Sequence, residues 1–91
     1  MNKFTIRNFL NKILWDKREV PSNYLIYFIS RGAPGDIESV SADKITRVYS
    51  RGFKFKEDGK VKYIPFHRIV LIKDVKNDRY VFRSPKYFSK D

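Results

Sequence analysis

The chain has 91 residues, enough for one domain with a modest core, and a hydrophobic fraction of 42% indicates a folded protein rather than a disordered basic tail. It contains no cysteine and one histidine, which excludes disulfides, thiol nucleophiles and cysteine or histidine-rich metal sites within one chain. Twenty Lys and Arg against ten Asp and Glu give a net charge of +10, a balance common in proteins that bind polyanions.

The first predicted element is an amphipathic helix over about residues 5–15, with Thr5 as its N-cap. Its apolar positions share one helix face: Ile6, Phe9, Leu10, Ile13 and Leu14. Trp15 at its end either packs, the commoner role of a lone tryptophan, or stacks on a nucleic-acid base. Polar residues interrupt any signal-peptide core here, and no apolar run in the chain reaches the roughly 20 residues of a membrane helix. We therefore expect a cytoplasmic protein without a membrane partner.

The middle of the chain alternates between strand and turn signals. Residues 24–31 are apolar on both faces until their end, which is typical of a central strand covered on both sides. Residues 32–36 then break the strand with glycine and proline, and Ser41 is the predicted cap of a short helical turn. Residues 47–56 alternate again and are predicted as a strand on which Arg47 and Arg51 bracket Tyr49, a surface suited to phosphates and bases.

Two short pairs predict hairpins: Asp58-Gly59, the strongest local signal in the chain, and Asn77-Asp78. The strands that they join are residues 53–56 with 61–64 and residues 69–73 with 79–84. The chain therefore predicts a single α+β domain over residues 1–91. We expect an N-terminal helix packed on a curved, mostly antiparallel sheet of about five strands, either open or closing toward a small barrel. A loose basic tail is expected after about residue 84.

The stretch 63–72 connects Pro65, the pair His67-Arg68 and an apolar, β-branched strand. Pro65 cannot donate to a sheet ladder, so it predicts a strand start, an edge or a bulge. In one continuous strand His67 and Arg68 point to opposite faces, and a bulge after Pro65 would bring them together.

Positive charge is concentrated in the second half of the chain. Residues 1–45 hold seven basic and five acidic residues, a net +2, whereas residues 46–91 hold thirteen and five, a net +8. A solvated basic surface explains this as well as a binding face does. The aromatic residues interleaved with the basic ones favour nucleic acid.

Three segments place an arginine or histidine beside a backbone-breaking residue: Arg31-Gly32, Arg51-Gly52 and Pro65-Phe66-His67-Arg68. An arginine fork binds two phosphate oxygens at once, and glycine lets the backbone approach an anion closely. Taken singly, each segment is more simply explained as a strand end with a turn glycine, or as a structural histidine.

Together these segments resemble a small, mainly archaeal family named as an RNA cyclic-group-end recognition domain, which is also found attached to RNA-processing proteins. The resemblance extends from about Ile6 to Arg83. It rests on four blocks in order: Leu14-Trp15, Arg31-Gly32-Ala33-Pro34-Gly35-Asp36, Arg51-Gly52-Phe53 and Ile64-Pro65-Phe66-His67-Arg68-Ile69.

The resemblance implies a non-catalytic RNA-binding module that recognises 2′,3′-cyclic phosphate or 3′-phosphate ends in RNA processing or repair. We expect no cofactor and no metal, although the composition leaves carboxylate-bound magnesium open. The expected partners are single-stranded RNA ends and RNA-processing or RNA-repair enzymes. The resemblance implies a pocket of Arg31, Asp36, Arg51, His67 and Arg68, and the glycines beside two of the arginines, Gly32 and Gly52, complete the predicted phosphate-binding residues. In this scheme the arginines hold the phosphate, His67 donates a hydrogen bond, and Asp36 accepts from a ribose hydroxyl or orients an arginine. Candidates for base stacking are Trp15, Tyr49 and Tyr80. Family members tend to carry a tryptophan near the last strand, where Tyr80 or Phe82 would have to substitute for it.

One alternative function stays open on the residues themselves. A small, metal-independent ribonuclease or phosphodiesterase would use His67 as acid or base, with Asp36 or Tyr63 beside it and arginines stabilising the phosphorane. Against catalysis, the chain offers neither a second histidine nor an obvious glutamate partner for His67. A purely protein-binding domain has no positive support in the sequence.

Overall fold

The computed structural model describes residues 5–85, so the basic tail expected after about residue 84 lies, except for Pro85, outside the described part. One helix and seven strands follow in chain order: α1 (Ile6–Trp15), β1 (Tyr24–Ile29), β2 (Ile37–Ser41), β3 (Ile45–Val48), β4 (Gly52–Glu57), β5 (Lys60–Pro65), β6 (Ile69–Asp74) and β7 (Arg79–Arg83). Short 3-10 turns lie between them at Pro21–Asn23, Pro34–Asp36, Ala42–Lys44 and Phe66–Arg68.

Helix α1 confirms its sequence prediction. The Thr5 hydroxyl oxygen accepts a hydrogen bond from the Asn8 N–H at 3.1 Å, which satisfies one of the free donors of the first turn. Leu10 and Ile13 are fully buried, so the predicted apolar face packs into the core. Within residues 5–85 there is no helix with the length and apolarity needed to cross a membrane.

The strands form two antiparallel sheets, a four-stranded one in the order β2-β1-β6-β7 and a three-stranded one in the order β3-β4-β5. The α+β class is therefore confirmed, whereas the single sheet of about five strands is wrong, and the sheets do not close into a barrel. Two features account for the difference. The predicted strand 47–56 is broken by a turn in which the Tyr49 N–H donates to the Gly52 carbonyl at 2.8 Å. Strand β2 was not predicted, because its short sequence lacks an apolar alternation.

Both predicted hairpins are confirmed. Glu57 pairs with Lys60 across a two-residue loop in which Asp58 and Gly59 have φ angles of 53° and 77°, the left-handed conformations that such a loop needs. Strands β6 and β7 are joined by the second hairpin, where Asp78 has a φ of 53°.

The stretch 63–72 is not one continuous strand. Strand β5 ends at Pro65, the 3-10 turn Phe66–Arg68 follows, and β6 begins at Ile69 in the other sheet. Pro65 thus ends an edge strand, one of the positions expected for a residue that cannot donate to a ladder. The connection between the sheets is a turn rather than a bulge, so the side chains of His67 and Arg68 diverge by roughly 120° instead of alternating across a strand.

One hydrophobic core joins the helix to both sheets. The rings of Phe28 on β1 and Phe55 on β4 lie 5.8 Å apart, and both side chains are 2% exposed. The buried core residues are Leu10, Ile13, Tyr24, Ile26, Phe28, Val40, Ala42, Ile45, Phe53, Phe55, Ile64, Ile69 and Ile72.

Polar groups at the start of β1 and the end of β6 are paired within the protein. The Tyr24 hydroxyl donates to Glu19 at 2.8 Å, and burial together with this bond raises the pKa of Tyr24 to about 12. Asp74, which pairs with Tyr24 across the two strands, accepts hydrogen bonds from the Asn77 side-chain amide at 2.8 Å and its backbone N–H at 3.1 Å. These bonds hold the pKa of Asp74 below its usual value. The polar side chains of Tyr24 and Asp74 at this end of the sheet therefore have hydrogen-bond partners within the protein.

Candidate nucleic-acid interface

At the opposite end of the four-stranded sheet, the end of β1 lies beside the start of β6. Phe28 pairs with Ile69, the residue that directly follows the turn Phe66–Arg68. The connection 30–36 leaves β1 just after this pair. The antiparallel register therefore brings the segment that carries Arg31 next to the turn that carries His67 and Arg68.

A backbone hydrogen bond joins the turn 49–51 to the same place. The Phe66 N–H donates to the Arg51 carbonyl at 2.9 Å, and the next residue, Gly52, pairs with Pro65. The Phe66 ring stacks on the fully buried ring of Phe53, with 6.5 Å between ring centroids and 18° between planes. Local backbone pairing and this ring contact thus fix the position of the turn Phe66–Arg68.

We term the connections 30–36, 49–51 and 66–68 the arginine end. They carry four exposed side chains of basic residues, Arg31, Arg51, His67 and Arg68, and one exposed carboxylate, Asp36. Within residues 5–85 none of these four side chains makes an ion pair or a hydrogen bond. Elsewhere, basic side chains such as Arg18 and Lys73 are paired with carboxylates, at 3.1 and 3.4 Å. The arginine end therefore carries three arginines against one carboxylate, and none of the three arginines forms an ion pair within residues 5–85.

The connection 30–36 is held by Asp36. Its carboxylate accepts from the Gly32 N–H at 3.3 Å, and its carbonyl accepts from the Ser30 N–H at 2.8 Å. Gly32, Gly35 and Asp36 have φ angles of 92°, 67° and 59°, which explains the glycines at the first two positions. In this conformation the Gly32 N–H bonds to Asp36, so Asp36 shapes the loop beside Arg31.

Gly52 is required by packing. A Cβ atom at this position would lie 2.5 Å from Cζ of Tyr63 and 2.6 Å from the Ile64 carbonyl oxygen. The Tyr63 ring covers this glycine, and Gly52 is buried. Close packing of β5 on β4 is therefore sufficient to require glycine beside Arg51.

The three aromatic candidates lie in different places. Tyr49 shares its turn with Arg51, and its ring centroid lies 5.3 Å from the Arg47 guanidinium and 5.6 Å from the Lys54 ammonium. Trp15 is 82% exposed beside a groove of about 380 Å³ between α1 and β3.

Tyr80 is 57% exposed and pairs with Lys73. Lys73 is four residues along β6 from Ile69, a distance of about 13 Å along a strand. Of the three aromatic candidates, Tyr49 belongs to the arginine end, whereas Tyr80 lies toward the other end of its sheet.

Tyr63 is a further aromatic residue at this surface, predicted from the sequence only as an aid to catalysis. It is 45% exposed, and its ring centroid lies 5.9 Å from that of Tyr49 in an edge-on arrangement. Strand pairing places it directly opposite Lys54. The sequence contained the signal for this pairing, because the predicted Asp58-Gly59 hairpin fixes which residues of β4 and β5 face each other.

The described residues hold no group of three or more His, Asp or Glu side chains that is arranged to bind a metal ion. What the arginine end offers instead is hydrogen-bond donors on fixed positive charges. Such donors suit a phosphate, which guanidinium groups bind through two oxygens at once.

Comparison with known proteins is consistent with this chemistry. The family model described as the MJ1316 RNA cyclic group end recognition domain matches residues 1–83. A UPF0248 protein of Pyrobaculum islandicum is 37% identical over 68 residues, which cover 75% of this chain and 76% of the relative. A UPF0248 protein of Methanococcus vannielii is 31% identical over 78 residues, with coverage of 86% and 89%. A third, from Thermococcus sibiricus, is 35% identical over 72 residues, with coverage of 79% and 77%.

No solved structure matches the chain. The family match extends over most of the sequence and includes all three segments of the arginine end. It confirms the resemblance seen in the four sequence blocks. The chain belongs to the MJ1316 RNA cyclic group end recognition domain family.

Proposed function

We propose that this domain is a non-catalytic RNA-binding module that holds RNA ends carrying a 2′,3′-cyclic phosphate or a 3′-phosphate. The observation that carries the proposal is the arginine end, where four exposed side chains of basic residues lack a partner within residues 5–85. The family description supplies the class of ligand. A role in RNA processing or repair follows from the chemistry of such ends, which arise when RNA strands are cut.

The arginines account for the terminal phosphate. Arg31, Arg51 and Arg68 lie on three connections whose backbones are neighbours through strand pairing and the Phe66–Arg51 hydrogen bond. In this proposal their guanidinium groups bind one anion from different sides. Hydrogen bonds between a guanidinium and a phosphate are charge-assisted, and the planar fork binds two oxygens in a defined geometry. A 3′-hydroxyl end lacks the terminal phosphate and forgoes these bonds.

Two further residues recognise the sugar and orient the loop. His67 donates a hydrogen bond to a phosphate or ribose oxygen. Asp36 accepts from the Gly32 N–H through one carboxylate oxygen, and in this proposal its other oxygen accepts from a ribose hydroxyl or from an arginine. Tyr49, in the turn that carries Arg51, contacts the terminal base in this proposal.

The experiment compares one single-stranded oligonucleotide with three ends: a 2′,3′-cyclic phosphate, a 3′-phosphate and a 3′-hydroxyl. The two phosphorylated ends should bind at least about tenfold more tightly, because hydrogen bonds to charged groups contribute roughly 1.5–3 kcal/mol each and 1.4 kcal/mol is tenfold in affinity. Equal affinity for all three ends would refute end recognition.

The same incubations report on the catalytic alternative. A labelled strand should remain intact in the presence of the wild-type protein. Turnover by the wild type that disappears in His67→Gln, while binding persists, would replace the binding proposal with a ribonuclease or phosphodiesterase.

A further inference from the structure

The three-stranded sheet has one buried and one exposed face. Phe53, Phe55 and Ile64 are at most 6% exposed and point to the core. Their neighbours in sequence point the other way. Strand pairing aligns Arg47 with Lys54 and Lys54 with Tyr63, and two residues farther on it aligns Lys56 with Val61. We term this outward surface the tyrosine-lysine face; it consists of Arg47, Tyr49, Lys54, Lys56, Val61 and Tyr63.

The tyrosine-lysine face carries three basic residues and no carboxylate. Glu57, the nearest acidic residue in the sequence of β4, lies on the opposite parity and pairs with Lys44 at 3.8 Å. Within the described part of the chain, Arg47, Lys54 and Lys56 make no ion pair with a carboxylate. Charge complementarity therefore favours a polyanion on this surface.

Aromatic rings lie among these charges. Tyr49 is flanked by Arg47 and Lys54, with 5.3 and 5.6 Å from the two cationic groups to its ring centroid. Tyr63 packs edge-on against Tyr49 and remains 45% exposed. A sheet face with exposed rings and surrounding cations is a common platform for unpaired bases, because every base has a flat face that stacks on an aromatic ring.

The tyrosine-lysine face is continuous with the arginine end. Tyr49 and Arg51 share one turn, closed by the hydrogen bond from the Tyr49 N–H to the Gly52 carbonyl at 2.8 Å. Tyr63 covers Gly52 and lies two residues before Pro65, where the turn Phe66–Arg68 begins. An RNA strand whose terminal phosphate binds at the arginine end therefore meets this face directly, without crossing the rest of the protein.

We infer that the tyrosine-lysine face binds the nucleotides that precede the RNA end. Tyr63 stacks on one of their bases, and Arg47, Lys54 and Lys56 contact their phosphates. This inference rests on the proposed function, since the direction of the RNA over this face is taken from the binding of its 3′ end at the arginine end. The four-stranded sheet is the weaker platform, because Lys73 beside Tyr80 is already paired with Asp78 at 3.4 Å.

The charge test uses a length series, from a nucleoside 2′,3′-cyclic phosphate to a hexanucleotide with the same end. Wild-type affinity should rise with length. Lys54→Gln with Lys56→Gln should weaken binding of the hexanucleotide roughly five- to tenfold and leave the mononucleotide unchanged. It should also reduce the log–log salt slope by about 1.4, since each phosphate contact contributes about 0.7 on single strands. Lys17→Gln with Lys76→Gln is the matched control. Both lysines are exposed and lie outside this face, and the two substitutions remove the same amount of charge.

The stacking test uses Tyr63→Leu, which keeps apolar cover over Gly52 but removes the ring. Hexanucleotide affinity should fall about fivefold or more, since stacking on one base is worth roughly 1–3 kcal/mol. Tyr63→Phe should restore it, and Tyr80→Leu should have little effect. Thermal unfolding of each variant verifies that the domain is folded at the assay temperature.

The outcomes separate this inference from the proposed function. Length-independent affinity, or equal losses in the two double-lysine variants, would overturn the tyrosine-lysine face as the path of the RNA. End recognition is measured separately, as the preference for a nucleoside 2′,3′-cyclic phosphate over the unphosphorylated nucleoside. If the wild type shows no such preference but its affinity still rises with length, end recognition is overturned. The direction in which the RNA runs over the tyrosine-lysine face is then overturned as well.

Discussion

Replacing Arg51 and Arg68 together by alanine should weaken binding to RNA with a 2′,3′-cyclic phosphate end by about 100-fold or more. The two residues lie on connections that are joined by the hydrogen bond from the Phe66 N–H to the Arg51 carbonyl, at 2.9 Å. Each substitution removes a charge-assisted hydrogen bond worth roughly 1.5–3 kcal/mol. Both side chains are exposed, so the free energy of unfolding should change by only about 0.5 kcal/mol or less.

Two sets of variants serve as controls in the same titrations. The double lysine variant keeps both charges but not the planar fork, so it should fall between wild type and the double alanine variant. Arg7→Ala with Arg79→Ala removes two exposed arginines away from the arginine end and should cost far less. An equal loss of affinity for 3′-hydroxyl RNA would assign Arg51 and Arg68 to the general phosphate backbone instead of the end.

Replacing Phe53 by alanine should produce the largest loss of stability. Phe53 is fully buried, lies 6.1 Å from Phe55 and stacks on Phe66 at 6.5 Å, measured between ring centroids. Truncating a buried phenylalanine costs about 3–5 kcal/mol, a large share of the roughly 5–15 kcal/mol that stabilises a typical domain. The melting temperature should fall by roughly 12 °C or more.

The same substitution should reach the binding site. Removing the ring takes away the support under Phe66, so the turn that carries His67 and Arg68 loses a fixed position. Affinity for phosphorylated RNA ends should therefore fall even at temperatures where the variant is folded. Val61→Ala on the exposed face of β5 is the control and should change stability by only about 0.5 kcal/mol or less. A loss below about 1 kcal/mol in Phe53→Ala would contradict the assigned core.

The elements that local chemistry dictates were predictable. The periodic apolar face and the Thr5 cap defined α1, and the pairs Asp58-Gly59 and Asn77-Asp78 defined two hairpins. Strand β2 and the turn 49–51 were missed. The first is a short edge strand with mixed polarity, and the second lacks the glycine or asparagine pair that usually marks a tight hairpin.

The division into two sheets was not predictable for a different reason. The apolar residues of 63–72 fit a continuous strand, but the 3-10 turn at Phe66–Arg68 transfers the chain from one sheet to the other. Whether a short segment continues as strand or turns depends on which strands lie beside it. Here that is settled by contacts distant in sequence, such as the pairing of Phe28 with Ile69.

The candidate site shows the same division. The Arg-Gly pairs in the sequence identified Arg31 and Arg51 as candidates. Their segments come to lie beside the turn of His67 and Arg68 only through contacts between residues distant in sequence. Gly52 was predicted from its place beside Arg51, whereas its contact with the Tyr63 ring could not be predicted from the sequence. The facing pair of Lys54 and Tyr63 follows from the hairpin register, so this part of the surface was within reach of the sequence.

The most direct test of the account is a nuclear magnetic resonance titration of isotope-labelled protein with a nucleoside 2′,3′-cyclic phosphate. A ligand held at the arginine end should shift the amide signals of residues 30–36, 49–51 and 66–68, and leave the hairpin between β6 and β7 unchanged. Shifts centred on that hairpin or on the groove beside Trp15, or shifts as large with the unphosphorylated nucleoside, would contradict the central claim.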